Sequence, residues 1–230
     1  NVEGGDTRDD REGIQAAFAR EKRIYFPPGT YYVKSKTIDY AFLLWSDRSK
    51  VEEIVFAKGA VLKIHPNAST TYEKPSVIGI YANNGDVRKV SIRGINIDGN
   101  RENTKLKSTA ILVYERVGYN VKRFIASDIN IKEMGGGGIF AKALYNELTN
   151  ISTNNCGSHG IGSVNTTNLG QLHELYIDGY TSINDEAYSI DFSGAENRNN
   201  RKLVSAKDRW KGNVKNVTSI GSKYGIKTAG

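Results

Sequence analysis

Ile78-Gly79-Ile80-Tyr81 is a short apolar segment that recurs along the chain at irregular spacings of roughly two to three dozen residues. A repeat of this length predicts a solenoid, because each unit is stable only when it is stacked on its neighbours. The further copies are Ile111-Leu112-Val113-Tyr114, Ile139-Phe140-Ala141-Lys142, Ile161-Gly162-Ser163-Val164, Tyr188-Ser189-Ile190-Asp191 and Tyr224-Gly225-Ile226-Lys227.

When the copies are aligned at their first residues, their fourth residues form one outward ladder along the solenoid. Stacked strands lie about 4.8 Å apart, so a linear polymer can follow such a ladder over several coils. Its lysines and aspartate carry charge, and its tyrosines are flat surfaces for sugar rings. The predicted ladder contains Tyr81, Tyr114, Lys142, Val164, Asp191 and Lys227.

Composition favours a single all-β domain that spans residues 1–230. The chain has 24 glycines, 13 tyrosines and only four prolines, a mixture that suits short strands joined by tight turns. No segment approaches the roughly 18 consecutive apolar residues of a membrane helix. Cys156 is the only cysteine, so we expect no internal disulfide and a thiol buried in the core. We expect a secreted, bacterial-type protein whose signal peptide is not present in this chain.

The net charge is +7, from 32 basic and 25 acidic residues, and it favours an anionic partner. Two basic insertions, Asp98–Ser108 and Ser193–Gly212, interrupt the repeats, and insertions in solenoids often line the binding face. Arg198, in the second insertion, is a candidate substrate-binding residue. Because no nucleic-acid reader motif accompanies the charge, nucleic acid is the least favoured partner.

The first forty residues differ from the repeats and predict a cap over the first coil. Asp9 and Asp10 are candidate caps of a helix that begins at Arg11 and carries Ile14 and Phe18 on one apolar side. A strand at Arg23-Ile24-Tyr25-Phe26 and a Pro27-Pro28-Gly29-Thr30 turn into Tyr31-Tyr32-Val33 follow. Residues 41–230 would then form the stacked coils. Their earlier strands are predicted at Val90-Ser91-Ile92, Phe124-Ile125-Ala126, Leu148-Thr149, Leu175-Tyr176-Ile177 and Val214.

The N-terminal segment resembles the entry signature of the pectate-lyase-like right-handed parallel β-helix superfamily. The resemblance rests on Gly5-Asp6-Thr7-Arg8-Asp9-Asp10, on Ile14-Gln15-Ala16-Ala17 and on Pro27-Pro28-Gly29-Thr30-Tyr31. The first of these is shorter than the usual form. The resemblance implies an all-β, single-domain right-handed parallel β-helix with a short N-terminal capping α-helix, as found in polysaccharide lyases and polygalacturonases.

Three short segments resemble polygalacturonase motifs: Ser158-His159-Gly160-Ile161, Asn184-Asp185-Glu186-Ala187 and Gly225-Ile226-Lys227-Thr228. Their order along the chain differs from that of the hydrolases, where the His segment follows the carboxylate segment. Gly225 stands where the hydrolases have arginine, and their Asn-Thr-Asp motif has no clear counterpart. These differences argue against inverting hydrolysis by that family's carboxylates.

A second outward row is predicted at the turns that enter the ladder strands. It contains Thr109, Gly137, His159, Glu186 and Ser222. Tyr188 and Tyr224 hold the first ladder position, which predicts an inward aromatic stack. If the strands start one residue later, both hydroxyls instead emerge beside Glu186 and Lys223. His65 and His173 lie in early strands, away from this face, and are interpreted as structural.

The favoured function is β-elimination on a uronate polymer. This reaction removes the C5 proton beside a carboxylate, so it needs a base, an acid for the leaving oxygen and a group that neutralises the carboxylate. Tyr188 or His159 is the candidate proton-transfer residue, and Lys227 or Lys223 would neutralise the carboxylate or act as base. The candidate substrate-binding residues are Lys142, Asp191, Glu186, Tyr114, Tyr224 and Arg198.

We expect a metal-independent lyase without a cofactor. A Ca²⁺ site would need Asp185, Glu186 and Asp191, which follow no ligand-spacing motif. Similarity to small β-helix alginate lyases favours alginate as the substrate, with pectate next. The alternatives are a glycoside hydrolase or C5-epimerase that uses those three carboxylates, and a non-catalytic glycan-binding tailspike or adhesin module. We expect a monomer that binds an anionic polysaccharide and neither nucleic acid nor a membrane.

Overall fold

Two parallel sheets wind around an apolar core in the computed structural model, which describes residues 9–34, 40–70, 74–115, 118–163, 173–192 and 210–228. No helix in these ranges is long and apolar enough to cross a membrane. In chain order the elements are α1 (Arg11–Arg20), β1 (Arg23–Phe26), β2 (Gly29–Val33), β3 (Ala41–Ser46), β4 (Glu53–Phe56), β5 (Ala60–Ile64), β6 (Ser76–Ala82), β7 (Val90–Arg93), β8 (Asn96–Asp98), α2 (Arg101–Thr104), β9 (Thr109–Glu115), β10 (Arg123–Lys132), β11 (Ile139–Phe140), β12 (Tyr145–Asn154), β13 (Ile161–Gly162), β14 (His173–Ile183), β15 (Tyr188–Phe192), β16 (Trp210–Ile220) and β17 (Tyr224–Thr228).

Each coil contributes to both sheets. Within the described ranges the first sheet has ten strands, with β1-β4-β7-β10-β12-β14-β16 as its main path. The second sheet has seven strands in the order β17-β15-β13-β11-β9-β6-β3. We number the coils one to seven from the N-terminus, so that coil four contains β10 and β11 and coil seven contains β16 and β17. The predicted parallel β-helix is confirmed.

A row of left-handed residues bends the long strands of the first sheet. Asp128, Asn150 and Asn216 have φ of 56°, 53° and 55°, and Gly94 and Gly179 have φ of 77° and 74° at the equivalent positions. Asn, Asp and Gly are the residues that tolerate this conformation best. The Asn150 side-chain amide donates to Asp128 Oδ1 at 2.8 Å, which ties adjacent bends together.

A second left-handed row ends the long strands and turns the chain towards the second sheet. Glu133, Asn155 and Asn184 have φ of 53°, 57° and 53°, and Gly221 follows with φ of 66°. A Cβ at Gly221 would lie 2.2 Å from Asn184 Oδ1, so a larger residue there would displace the Asn184 side chain. This row fixes where the segments that enter the second sheet begin.

The N-terminal helix α1 covers the first strand of the second sheet. Ile14 and Phe18 are buried, and the Phe18 ring centroid lies 5.7 Å from that of Trp45. The Gln15 side chain donates to Leu44 O at 2.7 Å and accepts from Leu44 N at 2.8 Å, and so occupies the backbone edge of β3. The predicted capping helix is therefore confirmed.

The strands predicted early in the chain and in each coil are confirmed. Arg23–Phe26 is β1, and the turn after it leads into β2, as expected. All the earlier coil strands fall within β7, β10, β12, β14 and β16. Of the two predicted cap carboxylates, only Asp9 accepts from the helix, from Arg11 N at 3.1 Å. The Asp10 side chain instead accepts from Tyr32 N at 2.8 Å.

The predicted ladder is wrong in its last two coils, where the register is off by two residues. Ile161 pairs with Ile190, and Ile190 pairs with Ile226. Tyr188 and Tyr224 therefore precede the inward isoleucines instead of replacing them. In coil six the physical reason is that the left-handed turn residue sets the register, because the interval from turn to isoleucine is the same in 155–161 and 184–190. In coil seven the interval from Gly221 to Ile226 is one residue shorter, and the pairing of Ile190 with Ile226 sets the register.

Candidate functional site

A column of stacked rings lies on the outside of the solenoid where the chain enters the second sheet. The centroids of His159 and Tyr188 are 5.6 Å apart with rings inclined by 16°, and those of Tyr188 and Tyr224 are 4.8 Å apart with rings inclined by 29°. Tyr224 is 46% exposed. The predicted inward stack of Tyr188 and Tyr224 is therefore wrong, and the outward arrangement is correct. With Gly137 in coil four, these residues form what we call the entry row.

A buried carboxylate and a lysine stand beside this column. Phe140, Gly162, Asp191 and Lys227 occupy matching positions in β11, β13, β15 and β17, which we call the strand row. Asp191 is 4% exposed. Its Oδ2 lies 3.5 Å from His159 Nε2, and its Oδ1 lies 4.0 Å from Lys227 Nζ.

Lys227 also joins the strand row to the column, because its Nζ lies 5.1 Å from the Tyr188 ring centroid. The structure thus brings together His159, Tyr188, Asp191 and Lys227, with Tyr224 stacked on Tyr188. Sequence analysis missed Phe140, whose ring centroid lies 6.1 Å from that of His159. Its place in the Ile139-Phe140-Ala141-Lys142 repeat was the available signal, since it is the outward residue after the buried isoleucine.

The environment of His159 keeps its imidazole uncharged near neutral pH. Burial is the main cause that lowers its pKa, Lys227 acts in the same direction, and Asp191 opposes both. Nδ1 of His159 is enclosed and has no hydrogen-bond partner in the part of the chain that the structure describes. A neutral imidazole between a carboxylate and an ammonium group is suited to proton transfer.

A basic cleft of about 710 Å³ opens at His159. Its floor contains Gly135, Gly136 and Gly137, where side chains would collide with their neighbours. A Cβ at Gly135 would lie 1.8 Å from Leu106 O, so the glycines let the first basic insertion pack down against coil four. The cations that line the cleft are Lys74, Arg101, Lys105 and Lys107.

Hydrogen-bonded polar groups fill the interior behind this site. Asp185 is 1% exposed. Its Oδ2 accepts from Thr153 Oγ1 at 2.6 Å and from Ser182 Oγ at 2.7 Å, and its Oδ1 accepts from Cys156 N at 3.0 Å. A hydrolase or a Ca²⁺ site that uses Asp185 would need this carboxylate on the outer face, but the side chain points into the core. Cys156 is buried as predicted, and burial is the main cause that raises its pKa.

Other predicted residues lie apart from this cluster. Tyr114 and Lys142 lie in coils three and four, outside the entry row and the strand row. Lys142 Nζ is 5.4 Å from the Tyr114 ring centroid. Lys223 Nζ lies 5.4 Å from the Tyr224 ring centroid, at the C-terminal end of the column. Ser222 was predicted in the entry row, but its hydroxyl pairs with that of Ser182 at 2.7 Å. Arg198 and Val164 lie outside the described residues.

Glu186 is also absent from the entry row, where Tyr188 takes its predicted place. Its carboxylate contacts the Arg101 guanidinium, and both residues line the cleft. The two other histidines have structural contacts, in agreement with the sequence analysis. His173 Nδ1 lies 3.0 Å from Ala143 O, and His65 Nδ1 accepts from Asn67 N at 3.0 Å.

The three carboxylates that were considered for Ca²⁺ do not converge. Asp185 is in the core, Glu186 contacts Arg101, and Asp191 faces His159 and Lys227. Within the described ranges, no group of three or more His, Cys, Asp or Glu side chains is placed to hold a metal ion. The arrangement places side chains that can transfer a proton beside a cleft lined by cations.

The fold and this outer face define a parallel β-helix protein with a basic cleft. Among solved structures, the chain is similar to two modules from Azotobacter vinelandii. For the mannuronan C-5 epimerase AlgE4 A-module, the TM-score is 0.59 at 16% identity, over 98% of this chain and 68% of that one. For the mannuronan C-5 epimerase AlgE6 A-module, the TM-score is 0.53 at 17% identity, over 95% of this chain and 64% of that one.

At this identity the likeness concerns the fold, and the chain spans about two thirds of each module's length. No protein-family model matches the chain, and no curated protein matches it either. The predicted secreted location, monomeric state and single domain over residues 1–230 stay predictions.

Proposed function

We propose that this protein is an enzyme that acts on an acidic polysaccharide by removing the C5 proton of a uronate residue, followed by β-elimination. The observation that carries the proposal is the position of the His159 imidazole, which is stacked on Tyr188 and faces Asp191 at the edge of a basic cleft. Burial lowers its pKa, which favours a base that is neutral before it takes a proton. Alginate is the first candidate substrate and pectate the next. The similarity to mannuronan C-5 epimerase modules supports a uronate polymer as the substrate.

In the proposed reaction His159 takes the C5 proton at Nε2, because its Nδ1 is enclosed by the protein. The electrons of the C–H bond form the C4–C5 double bond while the bond from C4 to the glycosidic oxygen breaks. Tyr188 carries a phenolic O–H that can protonate this leaving oxygen, and solvent then restores its proton. Lys227 supplies the positive charge that stabilises the enolate form of the substrate carboxylate. No metal ion takes part in these steps.

Asp191 has a supporting role in this scheme. Its buried carboxylate faces His159 and Lys227, so it orients both groups and stabilises the imidazolium that forms when the proton arrives. Lys142, Tyr114 and Tyr224 would contact neighbouring sugar residues of the polymer. Lys223, at the end of the column, would add positive charge there without taking a proton.

C5 epimerisation is the second candidate, and the structural neighbours favour it. It begins with the same proton abstraction, but a proton then returns to C5 from the opposite face of the sugar ring. Both reactions use the neutral imidazole and the cation. They differ in whether the C4–O bond breaks before C5 is reprotonated.

The test is to incubate the protein with polymannuronate, polyguluronate and polygalacturonate in deuterated water. Elimination gives an unsaturated product that absorbs in the ultraviolet, and this is the expected result for at least one polymer. Deuterium at an inverted C5 without such absorbance would establish epimerisation instead. The absence of both changes with all three polymers would overturn the proposal. A His159→Gln variant serves as the inactive control.

A further inference from the structure

An ion pair crosses the basic cleft and joins residues far apart in sequence. Arg101 begins α2 in the insertion of coil three, and Glu186 lies in the turn before β15 in coil six. The Arg101 guanidinium contacts Glu186 Oε1. The Arg101 side chain is 33% exposed and that of Glu186 is 52% exposed, so solvent or a ligand can reach the pair.

The rest of the cleft is cationic. Lys74, Lys105 and Lys107 line it and form no ion pair with any residue in the described ranges, and Glu186 is the one carboxylate in the described lining. An accessible ion pair contributes little net stability. Exchange of Glu186 for another carboxylate would therefore cost little, and the three lysines would favour a ligand with several negative charges.

Arg101 is held at the cleft by its own backbone. Asn100, which precedes it, is buried, and its side-chain amide donates to Ile64 O at 3.0 Å. Arg101 N donates to Glu133 O at 3.2 Å. Its guanidinium also lies over coil five, because a Cβ on Gly157 would be 3.6 Å from Arg101 Cζ. Coil five carries His159, which lines the same cleft.

We propose that Arg101 binds a carboxylate of the substrate and that Glu186 occupies this site as a stand-in while the cleft is empty. A uronate carboxylate and the Glu186 carboxylate have the same planar pair of oxygens, which matches the donor fork of a guanidinium. The identity of the ligand as a uronate rests on the proposed function. Glu186 then selects for acidic sugars, because a neutral sugar has no group that can replace it on Arg101.

The test is calorimetric binding of a mannuronate oligosaccharide in the His159→Gln background, where turnover is blocked. Glu186→Gln should tighten binding about fivefold, because the stand-in no longer competes. Arg101→Gln should weaken binding at least about tenfold, since a charge-assisted hydrogen-bond pair is lost. In the double variant Glu186→Gln should give no gain. Unchanged or weaker binding by Glu186→Gln alone would overturn the inference.

Glu147→Gln is the matched control, because Glu147 pairs with Arg123 on the first sheet, away from the cleft (Nη2–Oε2 3.3 Å). It should leave the affinity unchanged. A neutral oligosaccharide of equal length should show no difference between the variants, and thermal melting checks that each is folded.

The inference and the proposed function can fail separately. If no uronate polymer is transformed but Glu186→Gln still tightens uronate binding through Arg101, the proposed reaction fails and the carboxylate site stands. If a polymer is transformed and Glu186→Gln has no effect on binding, the carboxylate site alone fails.

Discussion

The upper coils (two to four) and the lower coils (five to seven) have the same backbone arrangement but different interiors. In β6 and β9 most inward side chains are apolar, among them Ile78, Ile80, Ile111 and Val113, although Ser76 and Glu115 are buried there as well. Around β13 and β15 the interior instead contains buried hydroxyls and a buried carboxylate, all hydrogen-bonded: Thr153, Tyr180, Ser182, Asp185 and Ser189. Hydrogen bonds are directional, whereas apolar contacts tolerate small shifts. The polar interior thus holds the turns of coils five and six in one position.

The outer faces differ in the same way. On the upper coils Tyr81 and Tyr114 form a tilted aromatic pair with centroids 5.7 Å apart, and Tyr81 is buried to 8% exposure. On the lower coils the stacked rings of His159 and Tyr188 are joined to a carboxylate and an ammonium group. We therefore expect the reaction to take place on the lower coils and the upper coils to bind more distant parts of the polymer.

The largest expected effect is at His159. His159→Gln should lower kcat on the uronate polymer by about 10²–10⁴-fold, the usual contribution of a positioned general base. Lys142→Gln in the upper row should change KM and leave kcat nearly unchanged. Steady-state kinetics on both variants checks this, and equal losses of kcat would show that the two regions do not divide chemistry and binding.

The next effect concerns the polar interior. Asp185→Ala should lower the free energy of unfolding by about 2–4 kcal/mol. Cys156 N loses its hydrogen-bond acceptor, and the Thr153 and Ser182 hydroxyls lose the acceptor that they share. Urea denaturation measures the loss. Asp178→Ala, at a half-exposed carboxylate on the first sheet that contacts Lys215 and Asn216, is the control and should lower the midpoint much less. Equal midpoints for both variants would contradict a structural role for the buried carboxylate.

The pH dependence tests the charges around His159. Its pKa is lowered in the folded protein below the ordinary value of about 6.5, so kcat/KM should fall only at more acidic pH than that. Asp191→Asn should move the acidic fall in kcat/KM to still lower pH, and Lys227→Met should move it to higher pH. The reason is that Asp191 raises and Lys227 lowers the pKa of His159. NMR titration of the imidazole measures the same shifts without turnover, and shifts in the same direction would contradict this arrangement.

The same pKa shift has a consequence for stability. Between the folded pKa and about pH 6.5 the unfolded chain binds a proton at this histidine while the folded protein does not, so the free energy of unfolding falls as the pH falls. His159→Gln should remove that contribution to the slope.

The smallest effect is expected at the upper tyrosines. Tyr114→Ala should weaken binding of long oligosaccharides about fivefold, the equivalent of about 1 kcal/mol for one aromatic contact. Short oligosaccharides that reach only the lower coils should bind as before. Fluorescence titration with two chain lengths checks this, and equal losses for both lengths would place Tyr114 within the reacting site.

The sequence predicted most of the fold because its signals are local. The Ile14 and Phe18 spacing and the Pro27-Pro28-Gly29-Thr30 turn each depend on neighbouring residues. The structure has the helix and a turn at this place, but the turn is shorter than predicted, because β2 already begins at Gly29. The ladder failed in coils six and seven because Tyr188 and Tyr224 were aligned with the inward isoleucines, since an aromatic ring can also be buried in a core. Asn155 and Asn184 were the missing guide, since their left-handed turns set the register.

The site was predicted in part for a related reason. His159, Tyr188, Asp191 and Lys227 were all named, but their grouping required the correct register. The contact between Arg101 and Glu186 joins residues 85 positions apart. No local pattern predicts such a contact, because it depends on how far the first insertion folds over the coils below it.

At Gly137 the entry row has no aromatic ring. This glycine stands in the position that a ring fills in the three coils below, and a Cβ there would lie 2.8 Å from the Phe140 ring. The cleft begins at Gly137, where the column of rings ends. Part of its volume is the space that a ring at this position would fill. A chain of this plan could relocate its binding pocket by one coil, about 4.8 Å along the axis, if the glycine run and the ring exchanged places. Divergence among such solenoids would then proceed in discrete steps of one repeat, and the insertion that packs on the glycines would move with them.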